Sequence, residues 1–249
     1  MYNPDMILEL LEDVGREIMQ IYEQDFEVFR KKDLSPITLA DQISHQIITE
    51  FLHQHTPDIP VISEENDIPA FEERKNWQYF WLLDPLDGTK EFVDKNGEFT
   101  INLALIEGTK PIAGFIQVPA ISTTYWAELG KGAFKQKGFK KRIQTRQSVP
   151  TGQRIAAISR SHLAQEDKEK LEEYQITQTI AMGSALKFCL LAEGKADFYY
   201  RYNPTMEWDT AAGQIIVEEA GGKVLDSQGN IFSYNKFSLL NDSFLCTAF

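Results

Sequence analysis

The sequence predicts a mixed α/β (α+β) fold of layered sheets with helices between and outside them. Three observations carry this. Apolar residues recur at helical spacing near the start, short apolar runs end in carboxylates or turns, and the two patterns alternate along the whole chain. With 249 residues, 43% of them hydrophobic and 25% charged, the chain can bury a sizeable core and is not of disordered composition.

Asn3-Pro4 is a helix start, a capping residue followed by proline in the first turn. Ile7, Leu10, Leu11, Val14, Ile18, Ile21 and Tyr22 then repeat with helical period. A second helix is expected from Ala40-Asp41 to just before Pro57, with Ile43, Ile47, Phe51 and Leu52 on its buried side. The runs at 59–63 and 79–83 read as strands delivering Glu64-Glu65 and Asp84 at their C-terminal ends. Segments 100–106, 111–118 and 123–129 read as an antiparallel meander. Residues 138–153 are polar and basic, with Lys140-Lys141-Arg142, Pro150 and Gly152, and mark an expected boundary between halves 1–150 and 151–249. Beyond it, strands are expected at 155–158, 177–180, 198–202, 223–225 and 244–247, and helices at 164–174, 184–193 and 208–220.

The formal net charge of -12 gives no general attraction to nucleic acid or anionic membranes. Lys140-Lys141-Arg142 reads as a solvated turn. Cys189 and Cys246 form no C-x-x-C pair and read as reduced thiols of a cytoplasmic protein. The first residues lack a basic and an apolar signal region, and no apolar run is long enough to span a bilayer. Asp226 to Asn230 reads as a hairpin turn rather than a calcium loop, because the later ligands are missing.

The most informative stretch is Asp84-Pro85-Leu86-Asp87-Gly88-Thr89. Two carboxylates three residues apart follow an apolar strand, held by a rigid proline and released by a glycine. Hard divalent cations take oxygen ligands, and Asp84, Asp87 and the Leu86 carbonyl can converge on one point. Gly88 lets backbone N–H groups approach an anion. The competing reading is an Asp-Pro/Asp-Gly turn that caps a helix. Glu64-Glu65 at one strand end and Trp208-Asp209 at a helix start add acids that repel one another unless a cation compensates.

Together these motifs resemble the inositol monophosphatase superfamily of Mg2+-dependent, lithium-sensitive phosphatases. The resemblance covers the three motifs in order: Ser63-Glu64-Glu65, the stretch from Asp84 to Thr89, and Trp208-Asp209-Thr210-Ala211-Ala212-Gly213. Asp84 to Phe92, Asn96 to Thr100, Lys32 to Asp41, Ser159 to His162 and Gly183 to Cys189 are most similar to its bacterial 3'(2'),5'-bisphosphate nucleotidase branch.

The resemblance implies a sugar-phosphatase-like αβαβα layered sandwich and two or three Mg2+ ions. It implies Glu64, Asp84, the Leu86 carbonyl, Asp87 and Asp209 as metal ligands. Asp41 and Thr89 are implied as the pair activating the attacking water, with Glu65 grouped among the catalytic residues. Gly88 and Thr89 would donate backbone N–H groups to the phosphate. His162, Ser184, Lys187 and Arg201 would contact substrate, although Arg201 and Lys187 can also be read as solvated and His162 as a helix cap.

The implied activity is removal of the 3'-phosphate of adenosine 3',5'-bisphosphate. Inositol monophosphate or fructose 1,6-bisphosphate are the alternative substrates, and a non-catalytic metabolite-binding protein the alternative class. The expected partner is a small phosphorylated nucleotide, in the cytoplasm, with peripheral contact at the inner membrane face left open and the oligomeric state unassigned.

Overall fold

A computed structural model of the chain describes residues 2–24, 27–30 and 36–249. Residues 32–35 of the stretch from Lys32 to Asp41 lie outside the described residues.

Helix α1 (Pro4–Tyr22) starts where Asn3 accepts a hydrogen bond from Asp5 N, and it buries Ile7, Leu10, Leu11, Val14 and Ile18. Strands β1 (Val28–Arg30) and β2 (Pro36–Thr38) form a small antiparallel pair. Helix α2 (Leu39–His55) opens with a capping box between Thr38 and Asp41. Its buried stripe is Ala40, Ser44, Ile48 and Leu52, not Ile43, Ile47 and Phe51 as expected. The capping box turns Asp41 and Ser44 inward, and Ile47 and Phe51 then pack only at the core's rim.

Next come β3 (Val61–Ser63), α3 (Phe71–Arg74), β4 (Tyr79–Asp87), α4 (Thr89–Val93), β5 (Thr100–Glu107), β6 (Lys110–Val118), β7 (Thr123–Glu128), β8 (Gly132–Lys137) and β9 (Phe139–Ile143). β3 to β9 form one seven-stranded sheet in chain order. β3 runs parallel to β4 and the others are antiparallel meander strands. The expected meander is present but longer, because β9 occupies part of the stretch read as a polar boundary. β9 is an edge strand, exposed over its first four residues, where lysine and arginine suit a sheet border.

The remaining elements are β10 (Ile155–Ser159), α5 (Gln165–Glu173), β11 (Gln178–Met182), α6 (Leu186–Ala192), β12 (Phe198–Arg201), β13 (Thr205–Met206), α7 (Glu207–Glu219), β14 (Lys223–Asp226), β15 (Leu240–Asn241) and β16 (Phe244–Thr247). Five of them make a second sheet in the order β11-β10-β12-β16-β14. β13 and β15 pair separately.

Alternation along the strands sets the layers. Trp81, Leu83, Ile101, Leu103, Leu105 and Phe115 face α1 and α2. Phe80, Leu82, Ala104, Ile106 and Ile116 face the other way, onto α6 and α7. The second sheet adds Tyr199, Val224, Phe244 and Cys246 to that same central core. On its outer side, Ala156 and Phe198 pack with Leu171 of α5. The order α, β, α, β, α is the layered sandwich that the motifs imply. Both cysteines are buried and free. Among the described residues no helix is long and apolar enough to cross a membrane.

Two glycines set the spacing of the central layer. A Cβ on Gly114 of β6 would sit 2.4 Å from Ile215 Cγ2 and 2.7 Å from the Ala212 carbonyl. One on Gly213 would sit 2.4 Å from the Phe188 ring. Both are contacts between elements and cannot relax by a side-chain rotation alone. Gly114→Ala is therefore expected to destabilise the fold by ~2 kcal/mol in chemical denaturation, and a loss below measurement error would contradict this packing.

Candidate active site

The acidic site is built at the end of β4. Asp84 pairs with Asn102 of β5 and Asp87 with Thr100, so three steps along β4 match two along β5. Residues three apart in a regular strand face opposite sides. The extra residue at Pro85-Leu86 is a bulge that restores the parity and brings Asp84 and Asp87 to the same side, toward α6 and α7. The bulge is held by the Ser44 hydroxyl, which donates to the Pro85 carbonyl at 2.7 Å. Leu86 N donates to Asp84 Oδ1 at 3.0 Å.

Glu64 follows β3 and extends the parallel ladder, its N–H donating to the Leu83 carbonyl at 3.1 Å. This puts it beside Asp84. Asp209 comes from the first turn of α7, where Met206 N donates to its Oδ2 at 2.8 Å. Carboxylate oxygens of Glu64, Asp84 and Asp209 lie within 4.8 Å of one another. Asp87 has its Oδ2 occupied by Ala185 N at 2.6 Å and Asn102 Nδ2 at 3.1 Å. Gly88 at φ +85° turns the chain from β4 into α4. A Cβ there would meet the Glu98 carbonyl at 3.1 Å and Ser184 Cβ at 3.2 Å.

Behind the acids, Asp41 is buried and accepts from Thr38 N and Thr38 Oγ1 at 2.7 Å each through Oδ2. Its other oxygen faces the Thr89 hydroxyl at 3.2 Å, and the Leu86 carbonyl lies 3.2 Å from the same hydroxyl.

The acids open onto a pocket of about 470 Å³ whose walls include Glu64, Asp87, Asp209, His162, Lys187 and Arg201. Gly88, Thr89 and Ser184 also line it. Lys187, only 5% exposed, is not on a solvated helix face. Its ammonium donates to the Ser184 carbonyl at 2.6 Å and the Met182 carbonyl at 3.2 Å. Arg201 donates to the Asn203 carbonyl at 3.2 Å and to Ser159 Oγ at 3.3 Å. His162 N donates to Ser159 Oγ at 3.2 Å, and His162 lines the pocket.

Charge is strained here. Burial, then the neighbouring carboxylates Glu64, Asp87 and Asp209, hold the Asp84 carboxyl well above its ordinary range. Burial and then Asp87 do the same for Asp209. Burial also raises Asp87, opposed by Lys187, Asn102 and the Ala185 N–H. The Lys187 ammonium is pushed down to about 8 by burial, with Asp87 pulling the other way. Burial and then Arg201 lower the His162 imidazole.

Asp41, Glu64, Asp84, Leu86, Asp87, Gly88, Thr89, His162, Ser184, Lys187, Arg201 and Asp209 thus converge on one region. Glu65 does not join them. Its side chain lines a separate hollow with Gln42, His45 and Gln46, because consecutive residues at a strand end point to opposite sides. Sequence reading did not single out Asn102, which bonds Asp87, and gave no role to Ser159 and Glu91, which line the pocket, although both fall within its matched stretches. Asn102 carried a signal: an amide on the inward-facing parity of an apolar strand.

The donor set of the acid cluster is oxygen only, with neither imidazole nor thiolate, and its carboxylates repel. Both features fit a hard divalent cation such as Mg2+.

A family model for the inositol monophosphatase family matches residues 5–248. The 3'(2'),5'-bisphosphate nucleotidase CysQ of Salmonella typhimurium is 46% identical over 248 residues, covering 98% of this chain and 99% of that protein. Its counterpart in Escherichia coli K12 is 45% identical over 243 residues, covering 96% and 97%. The crystal structure of CysQ from Bacteroides thetaiotaomicron, a bacterial member of the inositol monophosphatase family, is similar with a TM-score of 0.85 at 37% identity, covering 96% of this chain and 94% of that one.

Folding raises the affinity of Asp84 and Asp209 for protons, so their contribution to stability is present at low pH and lost as pH rises through the ordinary carboxylate range toward the raised values. Without divalent cation, the melting temperature of the wild type should fall relative to Asp84→Asn as pH goes from about 5 to about 8. Added Mg2+ should close the gap by stabilising the wild type. A difference independent of pH and Mg2+ would show that the acids do not repel in the folded chain.

Proposed function

The chain belongs to the inositol monophosphatase family, and from that premise we propose that it is a Mg2+-dependent phosphatase that hydrolyses the 3'-phosphate of adenosine 3',5'-bisphosphate to AMP and phosphate. One observation carries the reading: carboxylate oxygens of Glu64, Asp84 and Asp209 lie within 4.8 Å of one another, and Glu64 and Asp209 line a pocket that Lys187, His162 and Arg201 also line. The acids suit cations, and the Arg201 guanidinium suits a second anionic group. A substrate with two phosphates matches both.

In this reading Glu64, Asp84, the Leu86 carbonyl, Asp87 and Asp209 hold two or three Mg2+ ions. When bound, Mg2+ supplies a Lewis acid that offsets phosphate charge and acidifies water. The chain's own groups do the rest. The Thr89 hydroxyl accepts a proton from the attacking water as its own proton passes to Asp41 Oδ1, 3.2 Å away. Asp41 is kept aimed at Thr89 because its other oxygen is tied to Thr38. Backbone N–H groups of Gly88 and Thr89 bind phosphate oxygens. Water attacks phosphorus in line with the departing 3'-oxygen, with no phosphoenzyme.

In the same pocket the Arg201 guanidinium takes the 5'-phosphate, with His162, Ser184 and Lys187 around the ribose. The halves 1–150 and 151–249 divide the labour: the first carries Asp41, Glu64, Asp84 and Asp87, and the second carries Asp209, His162, Ser184, Lys187 and Arg201. The Asp41–Thr89 contact favours an enzyme over a non-catalytic binding protein, which has no need of a proton acceptor there.

Phosphate release should be fastest from adenosine 3',5'-bisphosphate in a panel that includes inositol monophosphate and fructose 1,6-bisphosphate. It should vanish in excess chelator and return with Mg2+. A faster rate on either alternative substrate reassigns the substrate, and full activity under chelation removes the mechanism. Thr89→Val should lower kcat about a hundredfold or more with a smaller change in KM. Retained kcat in that variant would exclude the relay.

A further inference from the structure

Ser184 occupies a costly position. Its φ is +43°, rare for a residue with a Cβ. Its hydroxyl is buried with no hydrogen-bond partner among the described residues. Neither feature persists unless the surroundings impose it.

Two anchors impose it. On one side Ala185 N is bound to Asp87. On the other, Gly183 N donates to Glu98 Oε2 at 2.7 Å. Glu98 precedes β5 of the seven-stranded sheet, while Gly183 follows β11 of the five-stranded sheet. The bond therefore ties the two sheets together beside the pocket. Glu98 is itself fixed by Arg160, which follows β10 and donates to its two oxygens at 2.6 and 2.5 Å. Arg160 also donates to the Ala181 carbonyl at 3.0 Å, closing a ring of contacts around the turn. The fit is tight. A Cβ on Gly183 would lie 2.7 Å from Glu91 Cγ and 2.8 Å from the Glu98 carbonyl. Glu98 does not line the pocket.

The geometry points to Glu98 as a positioning residue: through the Gly183 N–H it holds the 183–185 turn so that the unpartnered Ser184 hydroxyl is preset to bind substrate. This rests on the phosphatase reading for its substrate, but not for the hold on the turn. Because Asn102 of β5 holds Asp87 without the turn, loss of Glu98 acts on substrate affinity more than on the chemical step.

The test is a double-mutant cycle on phosphate release from adenosine 3',5'-bisphosphate at saturating Mg2+. Glu98→Ala and Ser184→Ala should each raise KM about tenfold, with kcat changed far less. The double variant should be no worse than either single one. Glu98→Gln, which keeps an acceptor for Gly183, should fall between. Effects that multiply, or a fall in kcat at unchanged KM, overturn the assignment.

Hydrogen exchange at the Gly183 amide, followed by NMR, reads the same contact without turnover. It should quicken in Glu98→Ala and stay slow in Ser184→Ala, and equal exchange in wild type and Glu98→Ala overturns the proposal. If the wild type releases no phosphate from this substrate, the function reading fails while the exchange result still decides the role of Glu98.

Discussion

Everything in this molecule turns on carboxylates that are forced together against their own repulsion. Asp84 is 1% exposed, and Glu64 and Asp209 each bring an oxygen within 4.8 Å of it. In water such groups would separate or stay solvated. Here each is supplied by a different element: the extension of β3, a bulge in β4, and the first turn of α7. None can move away without disturbing a layer. The nearby cations do not cancel the cluster. Lys187 leans on Asp87, and Arg201 bonds to Ser159 and the Asn203 carbonyl. The site is thus a preformed demand for positive charge, which is what makes an anionic substrate acceptable beside so many acids.

The rest of the fold can be understood as the scaffold that resists this repulsion. Helix α7 lies in the central layer, pressed onto Gly114 on one side and against α6 through Gly213 on the other. Its first residue, Glu207, is wholly buried and anchored. Asn235 N, Lys236 N and Lys236 Nζ donate to it at 2.7, 3.0 and 2.6 Å. Arg74, also buried, donates to Asn235 Oδ1 at 2.7 Å and so links α3 to the same loop. Asp209, two residues beyond Glu207, inherits this rigidity. A fully bonded buried network is costly to disrupt, and it stands next to the group that most needs to be held.

Much of this was legible in the sequence. The run from Asp84 to Thr89, the Glu64-Glu65 pair and Trp208-Asp209 marked the acid cluster, and the apolar runs marked the meander and the layered order. Most of the misses depend on partners distant in the chain. The bulge at Pro85-Leu86 shows only against β5. β9 looks like a linker because its first four side chains are exposed. The buried stripe of α2 follows Asp41 and Ser44 toward the site rather than the most apolar residues. Lys187 reads as a surface lysine until Asp87 and two carbonyls are seen around it. Glu65, grouped with the catalytic residues by resemblance, lines a different hollow from Glu64.

The most direct test of the central claim is calorimetric titration of the metal-free protein with Mg2+ in buffers of differing ionisation enthalpy, which counts protons released on binding. The carboxyls of Asp84 and Asp209 hold protons unusually well in the folded chain. Saturable binding should therefore expel protons, fewer as pH rises, and Asp209→Asn should weaken binding and reduce that release. Absence of saturable Mg2+ binding, or binding that releases no protons at any pH, would contradict the account.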